Sequence, residues 1–261
     1  MKTWKMVFTA CLLGFFCGAL QMYALMSFYE SKMCLREVVE YFGLIEADYS
    51  LVYLGEMVVS YLPILVFHVL FGNVIYKNFC VAGIYYFTRT EKIGVWIAKE
   101  ALKTLSFSVL YALCTIISGF FVCNCYGKLV FEIDKITVFE FFSYIILVSL
   151  FVYITTIAIN SFAILTESGL GFVISEAVIM FTMVCFCAYK DLFGEYDTTD
   201  IHSWFLKVNP FRHLIFLFKI SPVNHIKSMI YFLIIAVMVT TFMVVVIRKH
   251  EFISNNQELD K

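Results

Sequence analysis

Six stretches of the chain run almost without charge: residues 6–29, 57–76, 104–127, 141–166, 168–189 and 228–247. Apolar side chains are continuous within each run rather than alternating. That pattern suits helices, whose backbone groups bond internally in lipid, and does not suit barrel strands. At ~1.5 Å rise per residue, a run of about 20 residues crosses a ~30 Å hydrocarbon core. The pattern predicts an all-α polytopic membrane protein with six transmembrane helices. Residues 1–261 form one transmembrane domain, because six spans and their connections use up the chain. The first run follows the basic start Met1-Lys2-Thr3-Trp4-Lys5. It is longer than the ~7–15 residues of a secretory apolar region and no small-x-small site closes it, so it reads as a retained span.

The polar segments between runs have their own patterns. In 77–103, Thr88-Arg89-Thr90-Glu91 has the form of a capping box, with Thr88 as N-cap and Glu91 three positions on. From Lys92 onward, Lys92, Lys99 and Lys103 fall on one narrow stripe with Trp96 among them, and apolar residues fill the remaining surface. This predicts an amphipathic interfacial helix leading into the third span, either a simple lysine–tryptophan anchor or a docking element for a cytoplasmic partner. Spans four and five are joined only by Thr166-Glu167-Ser168, so they form a tight hairpin. The segment 190–227 carries Trp204, Phe205, Phe211, Phe216 and Phe218, too aromatic to float in water. Short helices against the membrane face are expected there, with a turn at Asn209-Pro210. Leu35, Val38, Val39 and Phe42 suggest a similar short helix after the first span.

Composition sharpens the class. Of 261 residues, 62% are apolar or aromatic and 15% charged, against about 45–50% and about 25% in soluble domains. Disorder and a soluble enzyme are both excluded by that balance. The net charge of −1 recruits neither nucleic acid nor anionic substrates. Lys2, Lys5, Lys77, Arg89, Lys92, Lys99, Lys103, Arg248, Lys249 and Lys261 share one side, while the two short loops opposite hold only Lys32, Arg36, Lys128 and Lys135. The bias places both termini in the cytoplasm.

Motifs for soluble chemistry are missing. There is no G-x-x-x-x-G-K-[ST] run, so the chain does not hydrolyse ATP by that route, and there is no H-E-x-x-H or G-x-S-x-G. The chain therefore reads as a non-enzyme with no cofactor or metal of its own. The pairs Cys123/Cys125 and Cys185/Cys187 close spans three and five. They read as small apolar residues, as a soft-metal site or as disulfide partners. Glu176 is the one charge inside a span, about 12 Å from the inner end of the fifth helix. It reads as a buried, hydrogen-bonded carboxyl or as part of a translocation path. His68, Asn73, Asn160 and Gln21 are further polar groups in spans, where hydrogen bonds between helices are the simpler role. Gly14 and Gly18 permit close helix packing, and Pro63 is expected to kink the second span.

Taken together, this layout resembles the permease subunits of bacterial ABC transporters of the type-2, exporter class. The segment Phe87-Thr88-Arg89-Thr90-Glu91-Lys92-Ile93-Gly94-Val95-Trp96 looks like the family's segment after the second span, where an Arg-Ser/Thr pair opens the helix that meets the ATPase. Asn209-Pro210-Phe211-Arg212 looks like the turn of its outer loop. Many members have a longer N-terminal helix before the first span; here five residues precede it. The resemblance implies a multi-pass protein of the bacterial cell membrane. It also implies a separate ABC ATPase as partner, which binds the ATP, and a second permease, either another copy or a paralogue. It assigns the ATPase contact to Arg89, Thr90, Glu91, Lys92, Trp96 and Lys99, and the path to residues such as His68, Asn73 and Glu176. Export of antimicrobial peptides, or immunity to them, is the activity of small permeases of this kind. Two other classes compete. A stand-alone proton-coupled transporter would use Glu176, although no inverted repeat is visible. An intramembrane hydrolase would need a nucleophile–base pair or metal ligands that the spans lack.

Overall fold

The computed structural model describes residues 3–28, 31–43, 50–85, 93–194, 203–215 and 222–259. It contains six helices long and apolar enough to cross a membrane. The first span is α1 (Thr3–Phe28). After a short helix α2 (Leu35–Phe42), the second span begins as α3 (Leu54–Phe71) and continues as α4 (Val74–Tyr85). The third, fourth and fifth spans are α5 (Ile93–Cys125), α6 (Lys135–Leu165) and α7 (Leu170–Cys187). Two short helices, α8 (Tyr189–Phe193) and α9 (Ser203–Val208), precede the last span, α10 (Pro222–Leu259). The chain is a multi-pass, all-α membrane protein. The one β pairing among the described residues is two residues long, β1 (Met33–Cys34) beside β2 (Leu129–Val130) in parallel.

The centre of the bundle is α6. Its apolar window is 83% buried, against 28% for α1 and α10. It packs against α5, α7 and α10. A central helix must hide its polar atoms, and α6 does so locally. Ser149, Thr155, Thr156 and Ser161 each return a hydroxyl hydrogen to the carbonyl one turn back. Asp134 caps its first turn by accepting from the backbone N–H of Thr137 at 2.6 Å. These hydrogen bonds hold the Asp134 carboxyl below its ordinary value. Peripheral helices show the reverse face: Phe8, Leu12, Phe16 and Leu20 of α1 point outward, the apolar stripe a lipid environment accepts.

Helix α1 packs along α5, and the contact depends on Gly14 and Gly18. A Cβ at Gly14 would lie 2.5 Å from the Tyr111 carbonyl oxygen, and one at Gly18 would lie 2.1 Å from that of Thr115. Backbone cannot yield as a side-chain tip can, so the small residues set the helix separation. The α6–α7 hairpin is closed by the same device. Glu167 turns with φ of 50°, and a Cβ on Gly171 would sit 2.1 Å from the Ala163 nitrogen.

The second span holds a break that the sequence reading did not include. Helix α3 runs through Pro63, whose carbonyl accepts the Tyr111 hydroxyl at 2.7 Å, and it ends at Phe71, with α4 starting after Gly72-Asn73. A break inside the membrane leaves backbone donors unpaired unless a neighbour supplies acceptors. Asn160 of α6 does so: its Oδ1 accepts from the Tyr76 N–H at 2.9 Å, while its Nδ2 donates to the Thr156 carbonyl.

The amphipathic helix read before the third span is no separate element; it is the first part of α5. The run 168–189 holds α7, and the segment 190–227 ends early, because α10 starts at Pro222. The predicted turn at Asn209 is present. Its Oδ1 accepts from the Phe211 N–H and its Nδ2 donates to the Thr182 carbonyl of α7. Phe211 is buried beside Tyr61 and Phe151, so the aromatic segment packs into the bundle. At this end Arg36 of α2 reaches Glu40 at 2.9 Å and Glu140 of α6 at 3.1 Å. Burial opposes its charge, but the two carboxylates prevail and raise the guanidinium's pKa.

Candidate functional site

Tyr61 and His68 stand seven residues apart on α3, two turns, and so share a face. That face meets Glu176 of α7 and Thr155 of α6. His68 Nδ1 lies 2.6 Å from Glu176 Oε1, and the Tyr61 hydroxyl donates to Glu176 Oε2 at 2.7 Å. On the far side of the ring, His68 Nε2 lies 2.8 Å from Thr155 Oγ1. His68 is fully buried and Glu176 is 8% exposed. Three helices are joined through one carboxylate and one imidazole.

Proton placement follows from the partners. The Thr155 hydroxyl donates to the Phe151 carbonyl at 2.8 Å, which leaves its oxygen to accept from Nε2–H. One further proton then lies between Nδ1 and Oε1. With the proton on the carboxyl, both groups are neutral. With it on the ring, they form an ion pair. The total charge is zero either way, which an apolar bundle tolerates better than a lone charge. The cluster can clamp α3, α6 and α7, and it can hold one transferable proton.

A small cavity of about 40 Å³ lies beside Tyr61, lined also by Gln21, Ser60, Tyr111 and Thr115. That volume and lining suit ordered water. Tyr61 thus lines the cavity and also bonds Glu176.

Of the sequence-predicted path residues, His68 and Glu176 are brought together and Asn73 is not. Asn73 sits at the helix break with its Oδ1 buried and without a hydrogen-bond partner among the described residues. Arg89, Thr90, Glu91 and Lys92, with the capping box at Thr88, lie outside the described residues. Lys99 is exposed on α5. Trp96 differs from its expected place on an open lysine stripe: it is 8% exposed and its ring lies 6.4 Å from Phe79 of α4. One turn further along α5, Glu100 accepts from Asn78 of α4 at 3.2 Å and from Lys103 at 2.5 Å. Helix α5 has 33 residues, about 50 Å, so it exceeds the ~30 Å hydrocarbon core by several turns. Its first turns and α4 are thus braced to each other.

Tyr61 and Thr155 were not singled out from the sequence. The spacing from Tyr61 to His68 was a usable signal; Thr155 carried none, since hydroxyls recur throughout α6. All nine cysteines are free thiols, and among the described residues no three His, Cys, Asp or Glu side chains converge as a metal site.

The fold and these sites define a multi-pass helical membrane protein with a buried carboxylate–imidazole pair at its centre. No protein-family model matches the chain, and neither a curated protein nor a solved structure does.

Proposed function

We propose that the chain is the transmembrane subunit of an ATP-driven exporter of the bacterial cell membrane, docking a separate ABC ATPase on its cytoplasmic side. ATP hydrolysis resides in that partner. A second permease, a copy or a paralogue, completes the path, and the activity is export of antimicrobial peptides or immunity to them. The observation that carries this reading is the braced pair formed by α4 and the start of α5, held by Phe79–Trp96 and Asn78–Glu100. The pair flanks 86–92, the segment with the family-like Arg89-Thr90 opening. A push on that segment reaches two membrane spans together. Trp96 serves as an internal brace, and Lys99 remains an exposed contact.

Co-purification in mild detergent tests the reading. An ATPase is expected to accompany the wild-type chain and to be lost with Arg89→Glu/Lys92→Glu. An ATPase that never accompanies the wild type contradicts it.

The Tyr61–Glu176–His68 cluster favours a second reading, a stand-alone proton-coupled transporter with Glu176 as the carrier. Solute uptake by the isolated chain under a proton gradient, abolished in Glu176→Gln, would support it.

A further inference from the structure

A second cavity, of about 320 Å³, opens where α1, the α3–α4 break and α5 meet. Its lining is divided. Met6, Leu70, Phe71 and Phe107 form an apolar part, while Lys77, Asn78, Glu100, Lys103 and Thr104 form a polar part. The volume falls in the range of ~300–1,000 Å³ typical of small-molecule pockets.

Its depth is set by the sequence. Lys77 is the first charge after the uncharged run of the second span, and Lys103 is the last before that of the third. Met6 opens the first run. Three span ends therefore converge on the cavity, and the boundary between hydrocarbon and headgroups passes through it. The polar part lies at headgroup level and the apolar part at the level of acyl chains.

Charge in the polar part is uneven. Two ammonium groups face one carboxylate, and Glu100 is already engaged by Lys103 and Asn78. Lys77 is exposed and makes no ion pair among the described residues. The pocket keeps a net positive charge and one uncommitted ammonium. Cationic pockets between membrane helices on the cytoplasmic side recognise anionic headgroups.

We infer that this cavity binds an anionic phospholipid, with its phosphodiester between Lys77 and Lys103 and an acyl chain against Leu70, Phe71 and Phe107. A free phosphate would use the same lysines but leave the apolar part unfilled. A zwitterionic lipid would fill the apolar part but bring no net charge for the lysines.

The test uses the isolated full chain without any ATPase, so its outcome is independent of the function proposed above. Retention of phosphatidylglycerol and of phosphatidylcholine is measured by native mass spectrometry from mixed micelles. The variants are Lys77→Gln, Lys77→Gln/Lys103→Gln and Lys249→Gln, the last removing a charge at the same end of the bundle but outside the cavity. Phosphatidylglycerol is expected to be retained in preference to phosphatidylcholine. Lys77→Gln should weaken it about fivefold and the double variant about 25-fold, at the ~1 kcal/mol that each lysine contributes. Lys249→Gln should leave it unchanged, and millimolar inorganic phosphate should not displace it. Lys77→Gln leaves the Lys103–Glu100 pair intact, so the test survives any folding defect of the double variant. Equal retention of the two lipids, an unaffected Lys77→Gln chain, or displacement by inorganic phosphate would overturn the inference.

Discussion

His68 Nδ1 and Glu176 Oε1 lie 2.6 Å apart, although 108 positions separate the two residues in sequence. The contact joins the second span to the fifth, and Thr155 extends it to the fourth. One proton serves both groups, so the pair is held in the bundle without a net charge. Breaking such a pair on one side leaves an uncompensated polar group in an apolar interior.

That asymmetry is measurable. Glu176→Leu alone is expected to destabilise the protein by ~3–5 kcal/mol, whereas His68→Leu/Glu176→Leu loses less than the sum of Glu176→Leu and His68→Leu. Thermal unfolding of the four proteins in one detergent gives the coupling. Additive losses would mean that the two residues do not form a functional pair.

Gly18 fixes the approach of α1 to α5. Gly18→Leu forces a Cβ that would stand 2.1 Å from the Thr115 carbonyl oxygen, and the backbone must move. A loss of ~1–3 kcal/mol is expected, with a smaller effect for the same change at Gly55, which has open space. The check is a comparison of unfolding midpoints.

Asn160 supplies the acceptor that a broken helix needs. Asn160→Leu leaves the Tyr76 N–H unpaired and is expected to cost ~1–3 kcal/mol. Hydrogen exchange should then quicken at Tyr76 first, ahead of residues in the middle of α6.

Asp134 makes the N-terminal end of α6 sensitive to acid. Its folded-state pKa is depressed, chiefly by the hydrogen bonds from Thr137 and then by the nearby Arg36 charge. The stabilisation is therefore complete above the ordinary carboxylate value and fades as pH falls through the folded-state value. Asp134→Asn keeps a capping oxygen without the titration. Its unfolding midpoint should fall less steeply than that of the wild type between about pH 5 and pH 3.

Much of the architecture was legible in the sequence, because charge-free runs and the lysines that end them obey a single solvent rule. The hairpin at Glu167, the short helix α2 and the Asn209 turn were readable from loop length, apolar spacing and one Asn-Pro pair. The helix break at Gly72-Asn73 was not. The acceptor that meets the break, Asn160, comes from another helix, so nothing local to Gly72-Asn73 announces it. Trp96 misled for a similar reason: a helical wheel shows which residues share a stripe but not that α4 covers part of it. Glu176 and His68 stood out singly as costly polar groups, yet their pairing depends on how α3 and α7 pack, and no spacing along the chain encodes that.

Solute movement is best followed in liposomes that hold this chain with and without the ABC ATPase proposed as its partner. Transport is expected only when both are present and ATP is supplied, with loss of coupling in Arg89→Glu/Lys92→Glu. Transport by the chain alone, driven by a proton gradient and abolished in Glu176→Gln, would contradict that expectation.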